Sequence, residues 1–258
     1  MTADGDLAGR CALVTGAGQG VGRGLALALA DAGAEVLVND VRVDRAEDVV
    51  AQVRDKGGRG RSVPFDVTDH EEVATAIAAA GPVDILINNA GNAGAGPFTV
   101  GRAFHDTGPA DWEPFLRVNL YGVMHCTHAV LPAMIERQWG RVITIVSDAG
   151  RTGDRNSAVY ATAKAGAAGF IRSIAMEGGR HGITANNIAL GTMRTPLTEA
   201  LWDEPDSPRA KAILQNYVIR RPGTPDDVAA LALLLAGDQG SWITGQTIPV
   251  NGGYSFAL

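Results

Sequence analysis

Cysteine is nearly missing from this chain: Cys11 and Cys126 are the two present. Cys11 stands in an apolar run and Cys126 in a helical pattern, and their spacing suits neither a disulfide framework nor a metal ligand set. No apolar run approaches the ~20 residues that span a bilayer. The opening stretch "MTADGDLAGR" is acidic and lacks the apolar core of a signal peptide, so the expected location is the cytosol. Positive charge is also short. Against 28 Asp and Glu stand 22 Lys and Arg, a net charge of −6. A nucleic-acid partner therefore has no electrostatic support. The densest basic cluster, "KGGRGR" (56–61), reads as a solvated turn. Internal repeats, low-complexity tracts and linkers are absent too. What remains is the composition of a soluble globular protein, 46% hydrophobic and 19% charged, long enough at 258 residues for a large core.

Within it, short β-rich apolar runs alternate with longer helical patterns. "CALVT" (11–15), "EVLVN" (35–39), "SVPF" (62–65), "VDILINNAG", "RVITIVS", "ITANNIAL" and "QTIPVNGG" read as strands. Helices are predicted between them: one ended by Gly33, one over 44–56, one capped near Thr68 or Asp69, and one long helix from about Pro109 to Gln138. Another bears Tyr160, and another starts at Thr224-Pro225. Strand–helix alternation implies right-handed βαβ units, hence an α/β fold with a parallel sheet covered on both faces. We expect a single domain over 1–258. Two irregular segments, 91–108 and 191–223, follow strand ends, where open α/β sheets bind ligands, and are expected to shape a pocket.

"TGAGQGVG" (15–22) follows the first strand and opens the first helix. A glycine-rich turn there offers backbone N–H groups and a helix N-terminus to a pyrophosphate. Asp40 closes the second strand. A carboxylate there accepts hydrogen bonds from ribose hydroxyls and repels a 2′-phosphate, which favours NAD over NADP; Arg42 is the nearby cation that a 2′-phosphate would use. Farther on, "YATAK" places Tyr160 and Lys164 on one helix face, about 5–6 Å apart at Cβ. A cation beside a phenol favours the phenolate, so the Tyr160 pKa is expected to fall toward a range useful for proton transfer.

Taken in order, "TGAGQGVG", "NNAG" (88–91), Asn119, Ser147 and "YATAK" resemble the short-chain dehydrogenase/reductase family, in its single-domain type of about 250 residues. The resemblance runs from "RCALVTGAG" to "PVNGGYSF", and Ser147 precedes Tyr160 by 13 residues. It implies a Rossmann-like doubly wound parallel sheet in three α/β/α layers. It also implies a catalytic tetrad. Tyr160 exchanges the proton, Ser147 positions the substrate oxygen, Lys164 lowers the tyrosine pKa and binds the nicotinamide ribose, and Asn119 holds a relay water. The cofactor-binding residues implied are Gly16, Gln19, Gly20, Val21 and Gly22 in the turn, then Asp40 and Val41, Asp66 and Val67, and Asn88, Ala90 and Gly91. Tyr160, Lys164, Gly191, Thr192 and Thr195 complete the set. The family's usual Pro-Gly is Leu190-Gly191 here, which frees a backbone N–H and is expected to loosen the turn.

The expected activity is NAD-dependent oxidation or reduction of a secondary alcohol or ketone, with no metal and no membrane, and the resemblance also implies a homotetramer built from two long helices and the last strand. Other readings on the same fold are a non-catalytic NAD-binding regulator, a 3-oxoacyl-carrier reductase, and a non-redox lyase or epimerase. Substrate choice is expected in Arg151, Asp154, Arg155 and Asn156, and in a helical lid at 191–223 with Met193, Leu197, Leu201, Trp202 and Tyr217. Leu201 and Trp202 read equally well as packed into the body. Phe98, Phe104 and His105 are expected to line the pocket or a subunit contact.

Overall fold

The structure is a computed structural model, and it describes residues 6–91, 103–204 and 207–256. Among these, seven strands form one sheet: β1 (Cys11–Val14), β2 (Glu35–Val38), β3 (Arg59–Ser62), β4 (Ile85–Asn88), β5 (Gly140–Ser147), β6 (Ile183–Leu190) and β7 (Thr247–Val250). Their order is β3-β2-β1-β4-β5-β6-β7, and every neighbouring pair is parallel. The order reverses at β1, so the chain leaves β1 and β4 in opposite directions and opens a crevice at their C-terminal ends.

Strand side chains alternate between two cores, as the pleat requires. Ala12, Val14, Val36 and Val38 join the core under α1 (Gly20–Asp31), α2 (Val43–Asp55) and α10 (Pro225–Ala236). Leu13, Leu37 and Leu86 face the opposite core, under α3 (His70–Ala80), α5 (Gly122–Arg137) and α7 (Ala158–Gly178). The chain is thus a three-layer α/β/α sandwich, as the alternation predicts. Between these lie α4 (Pro109–Leu116) and the short helices α6 (Ala149–Thr152), α8 (Glu199–Trp202) and α9 (Pro208–Leu214). Among the described residues no helix is long and apolar enough to cross a membrane.

Two expectations need correction. The third strand is Arg59–Ser62, not 62–65. It pairs from Glu35↔Arg59 to Val38↔Ser62, and Pro64, with no N–H, cannot extend the ladder. The apolar residues Val63 and Phe65 are buried just past its end. The helix expected over 109–138 is divided. A π-helical turn at Arg117–Tyr121 separates α4 from α5. The Asn119 side chain donates to the Phe115 carbonyl at 3.0 Å, the acceptor its own backbone N–H would use in an α-helix, and the turn widens. The α3 start, in contrast, is as expected: Asp69 accepts from the Glu71 and Glu72 N–H groups.

Candidate active site

The glycine turn is shaped by contacts that exclude side chains. Gly16 has φ +60°, and a Cβ there would lie 2.8 Å from Ala90 Cα. A Cβ on Gly22 would lie 2.4 Å from Asn89 Nδ2 and from the Gly16 carbonyl oxygen. Gly20 also has positive φ and sits against Thr195. Gln19 makes no side-chain cap at the α1 N-terminus, and the first turn holds no acidic residue. Val21 lies in that turn, half-buried. The first-turn N–H groups therefore keep their positive end uncapped by side chains, which fits a pyrophosphate.

Three residues that sequence reasoning passed over hold this turn. Asn89 Nδ2 donates to the carbonyls of Thr15 (2.9 Å) and Gly16 (3.0 Å). Thr15 Oγ1 accepts from the Asn89 and Ala90 N–H groups, both at 3.0 Å. Asn39 accepts from the Gly16 N–H and donates to the Val63 and Phe65 carbonyls. Asn89 stands inside the "NNAG" motif, so its type was visible; its partner, more than 70 residues earlier, was not.

Asp40 is buried. Its Oδ2 accepts from the Gly18 N–H (3.0 Å) and its Oδ1 from the Arg42 N–H (2.9 Å). A carboxylate has about four acceptor positions, so two remain for hydroxyls. Val41 beside it is exposed, Arg42 pairs with Asp44, and Arg45 packs its Cβ against Gly18. Asp66 turns back to the Thr68 N–H, while Val67 is buried against Gly122 at the start of α5. Asn88 points into the core, donating to Thr127 and Thr144 hydroxyls, and so ties β4 to α5 and β5.

The tetrad residues converge at the ends of β4, β5 and α7. Gly91 shows how closely: a Cβ there would lie 2.9 Å from Asn119 Oδ1 and 3.2 Å from Lys164 Nζ. Lys164 is buried, and its Nζ donates to the Ile145 carbonyl at 2.9 Å. That ammonium lies 5.9 Å from the centre of the Tyr160 ring. Ser147 ends β5, accepts from the Ala149 N–H at 3.2 Å, and lies beside the Tyr160 hydroxyl.

The electrostatics correct one expectation. Burial pushes the Lys164 amine down to about 8. The Tyr160 phenol does not fall; it is raised, first by burial, and by the Asp154 charge, with the Ser147 hydrogen bond pulling the other way. Burial drives both groups toward their neutral forms.

Nor is the turn after β6 loose. Leu190 continues the strand, paired with Ser147 on one side and Val250 on the other. The Gly191 N–H reaches the Val250 carbonyl, and Tyr217 Oη accepts from the Thr192 N–H and donates to Thr192 Oγ1, each at 2.8 Å. The 191–223 segment carries α8 and α9, and its large apolar residues divide between the interior and the surface, where Val218 and Ile219 are exposed. Trp202, Tyr217 and Met193 are buried, Leu201 is half-buried and Leu197 is exposed. A cavity of about 330 Å³ beneath it is lined by Thr192, Met193, Tyr217, Arg221 and Asp227, and its lining includes neither Ser147 nor Tyr160. Asp154, Arg155 and Asn156 are exposed; Arg151 instead pairs with the buried Asp148. Phe104 stacks on Trp112, while Phe98 lies outside the described residues.

Three comparisons bear on this geometry. A family model described as enoyl-(acyl carrier protein) reductase matches residues 16–255. The 7alpha-hydroxysteroid dehydrogenase of Escherichia coli is 36% identical over 251 residues, covering 96% of this chain and 94% of that protein. The 3-oxoacyl-[acyl-carrier-protein] reductase of Haemophilus influenzae is 36% identical, covering 96% and 98%. Among solved structures, a gluconate 5-dehydrogenase from Burkholderia cenocepacia, in complex with NADP and tartrate, superposes with TM-score 0.90 at 34% identity over 99% of both chains.

Proposed function

The chain belongs to the short-chain dehydrogenase/reductase family of oxidoreductases, and on that premise we propose that it interconverts a secondary alcohol and a ketone, with Tyr160 as general acid and base. The observation that carries this reading is the meeting of Ser147, Tyr160, Lys164 and Asn119 beside the glycine turn. A nicotinamide cofactor, when bound, supplies the hydride acceptor or donor. In oxidation the carbinol hydride would pass to a bound nicotinamide; as the C=O bond forms, the hydroxyl proton would pass to Tyr160 Oη, whose own proton would first leave by way of the Lys164 amine. Ser147 holds the substrate oxygen by a hydrogen bond, which fixes the reacting atoms in line. Lys164, buried and displaced toward neutrality, is the proton reservoir behind the tyrosine, and Asn119 is the step beyond it toward solvent.

Gly16, Gln19, Gly20, Val21 and Gly22 hold the pyrophosphate; Asp40 and Val41 take the adenosine ribose; Asp66 and Val67 take the adenine. Asn88, Ala90 and Gly91 steady the floor, and Gly191, Thr192 and Thr195 close over the nicotinamide. The NADP in the Burkholderia relative means that family membership does not rank NADP below NAD. Asp40 supports NAD, and Arg42 and Arg45 are the cations a 2′-phosphate would meet. The reading includes one domain with a lid at 191–223, a cytosolic setting, a small-molecule substrate and a homotetramer.

The test is nicotinamide absorbance with a 7alpha-hydroxysteroid, gluconate and acetoacetyl-CoA as probes, each with NAD and NADP forms. Tyr160→Phe is expected to lose at least about 100-fold in kcat while still binding NADH. Equal turnover in variant and wild type removes Tyr160 from the mechanism. Tighter binding of NADPH than NADH by the wild type overturns the NAD preference.

A further inference from the structure

The peptide after Ser147 carries a buried carboxylate that none of the roles above uses. Asp148 is 2% exposed. Its Oδ1 accepts from Arg151 Nη1 (2.7 Å) and Ser255 Oγ (3.0 Å), and its Oδ2 accepts from Asn251 Nδ2 (2.6 Å). Arg151 also donates to Ser255 Oγ and to the Phe256 carbonyl. Asn251 folds its own segment, donating to the Ser255 carbonyl and accepting from the Gly253 N–H. The residues after β7 are thereby clasped onto the end of β5, more than 100 positions away in sequence. A buried carboxylate would be costly alone, and three donors converging on it make its placement strongly dependent on all of them.

The clasp continues to the other side of the site. Tyr254, in the clasped segment, packs its ring 5.1 Å from that of Tyr217. Tyr217 holds Thr192 through both its N–H and its hydroxyl. The Asp148 backbone N–H, meanwhile, donates to the Leu190 carbonyl at 3.0 Å, next to the same turn. Asp148 thus sits where the strand bearing Ser147, the turn after β6 and the segment 251–256 meet.

We propose that Asp148 is a positioning residue: through Asn251, Ser255 and Arg151 it locks the Ser147 hydroxyl in place, and through Tyr254 and Tyr217 the same belt sets the Gly191–Thr192 turn. The inference rests on the oxidoreductase reading above, because it assigns Ser147 to the substrate oxygen and Thr192 to the cofactor. Asp148 itself touches no reacting atom.

The test is a donor–acceptor exchange. In D148N an amide N–H₂ faces the Asn251 or Arg151 donors, two donors meeting where one acceptor is needed. D148N is expected to lose about 10- to 100-fold in kcat, the scale of a small misplacement of a reacting group, with its NADH dissociation constant raised less than in Y217F. The double variant D148N/N251D restores a donor facing an acceptor at that contact but gives up the Asn251 bond to the Ser255 carbonyl, so it is expected to recover part of the lost turnover. Y217F removes the bond to Thr192 and is expected to weaken NADH binding about five-fold, with kcat changed less. Wild-type kcat in D148N overturns the positioning role and leaves Asp148 a folding contact. Unchanged NADH affinity in Y217F overturns the extension to the turn. Tyr160→Phe measured alongside separates the two readings: if it stays active the oxidoreductase mechanism fails, and if it is inactive while D148N is fully active only the clasp fails.

Discussion

Lys164 is where chemistry and stability oppose each other at a single residue. Its amine is enclosed and donates to the Ile145 carbonyl, and burial takes it from the usual 10.5 to about 8. Between those two values the unfolded chain binds a proton that the folded chain does not, so folding stability rises with pH across that window. Below pH 8 the protonated amine carries the full penalty, on the order of 3 kcal/mol, reduced by the roughly 1 kcal/mol of its hydrogen bond. We therefore expect Lys164→Met to melt at or above the wild type at pH 7, with the gap narrowing as pH rises toward 10.5, while turnover is lost. Calorimetry at several pH values checks this; a variant melting several degrees below wild type at pH 7 would count against a penalised ammonium. The spacing of Tyr160 and Lys164 foretells their shared helix face but not the sign of the tyrosine's shift. That sign depends on how much of the rest of the chain covers them.

At the scale of elements, α10 shows a helix end that is readable in sequence and whose stability has a definite pH dependence. Pro225 occupies its first position, and Asp227 reaches back to the Thr224 N–H (2.7 Å) and hydroxyl (2.9 Å). Arg221 grips the same carboxylate with both terminal nitrogens. The Arg221 bond, followed by the Thr224 bonds, holds the Asp227 carboxyl well below the usual carboxylate range. A depressed carboxylate supplies stability that is complete above its unfolded value and fades as pH falls toward the folded one. Asp227→Asn is expected to lose about 1 kcal/mol at pH 7, the scale of a helix cap, and the deficit is expected to shrink as pH drops below about 4. Thermal melts across pH 3–7 read it, and a constant deficit would assign the loss to packing.

Elements with local causes were legible in this way. Helix caps, the glycine turn and the strand alternation each depend on residues a few positions apart. The edge strand β3 was displaced because its polar "RGRS" carries no apolar alternation, while the apolar signal fell past Pro64. The π turn at Asn119 stayed hidden because one side chain, not a periodicity, creates it. The residues of the proposed tetrad and of the glycine turn stand in motifs that the sequence displays. The contacts of Asn89, Asp148 and Tyr217 could not be read there, although Tyr217 was expected in the lid, because Thr15, Ser255 and Thr192, the partners concerned, lie 25 to 107 positions away.

For the whole molecule, two exposed apolar groups bear on the proposed tetramer. Trp242, on the turn before β7, is 99% exposed, and Met176, on α7, is 85% exposed. A free indole of that size is uncommon on a monomer's surface unless another surface covers it. β7 is also the sheet's outer strand on that side, with its outer backbone edge unpaired among the described residues. A tetramer of two-fold symmetry needs two different self-complementary interfaces. The long helices α5 and α7 supply one in the proposed assembly; Trp242 and the β7 edge supply the other. Trp242→Glu places a charge in the second interface alone, where desolvating it would cost several kcal/mol. Light scattering on a size-exclusion column is expected to give about four times the 26.8 kDa chain mass for the wild type and about twice that mass for Trp242→Glu. Because Trp242 stands outside the tetrad and the clasp, the dimeric variant should keep nicotinamide binding. A wild type that runs as a monomer at every concentration removes the tetramer, and a Trp242→Glu variant that stays tetrameric moves the second interface away from β7.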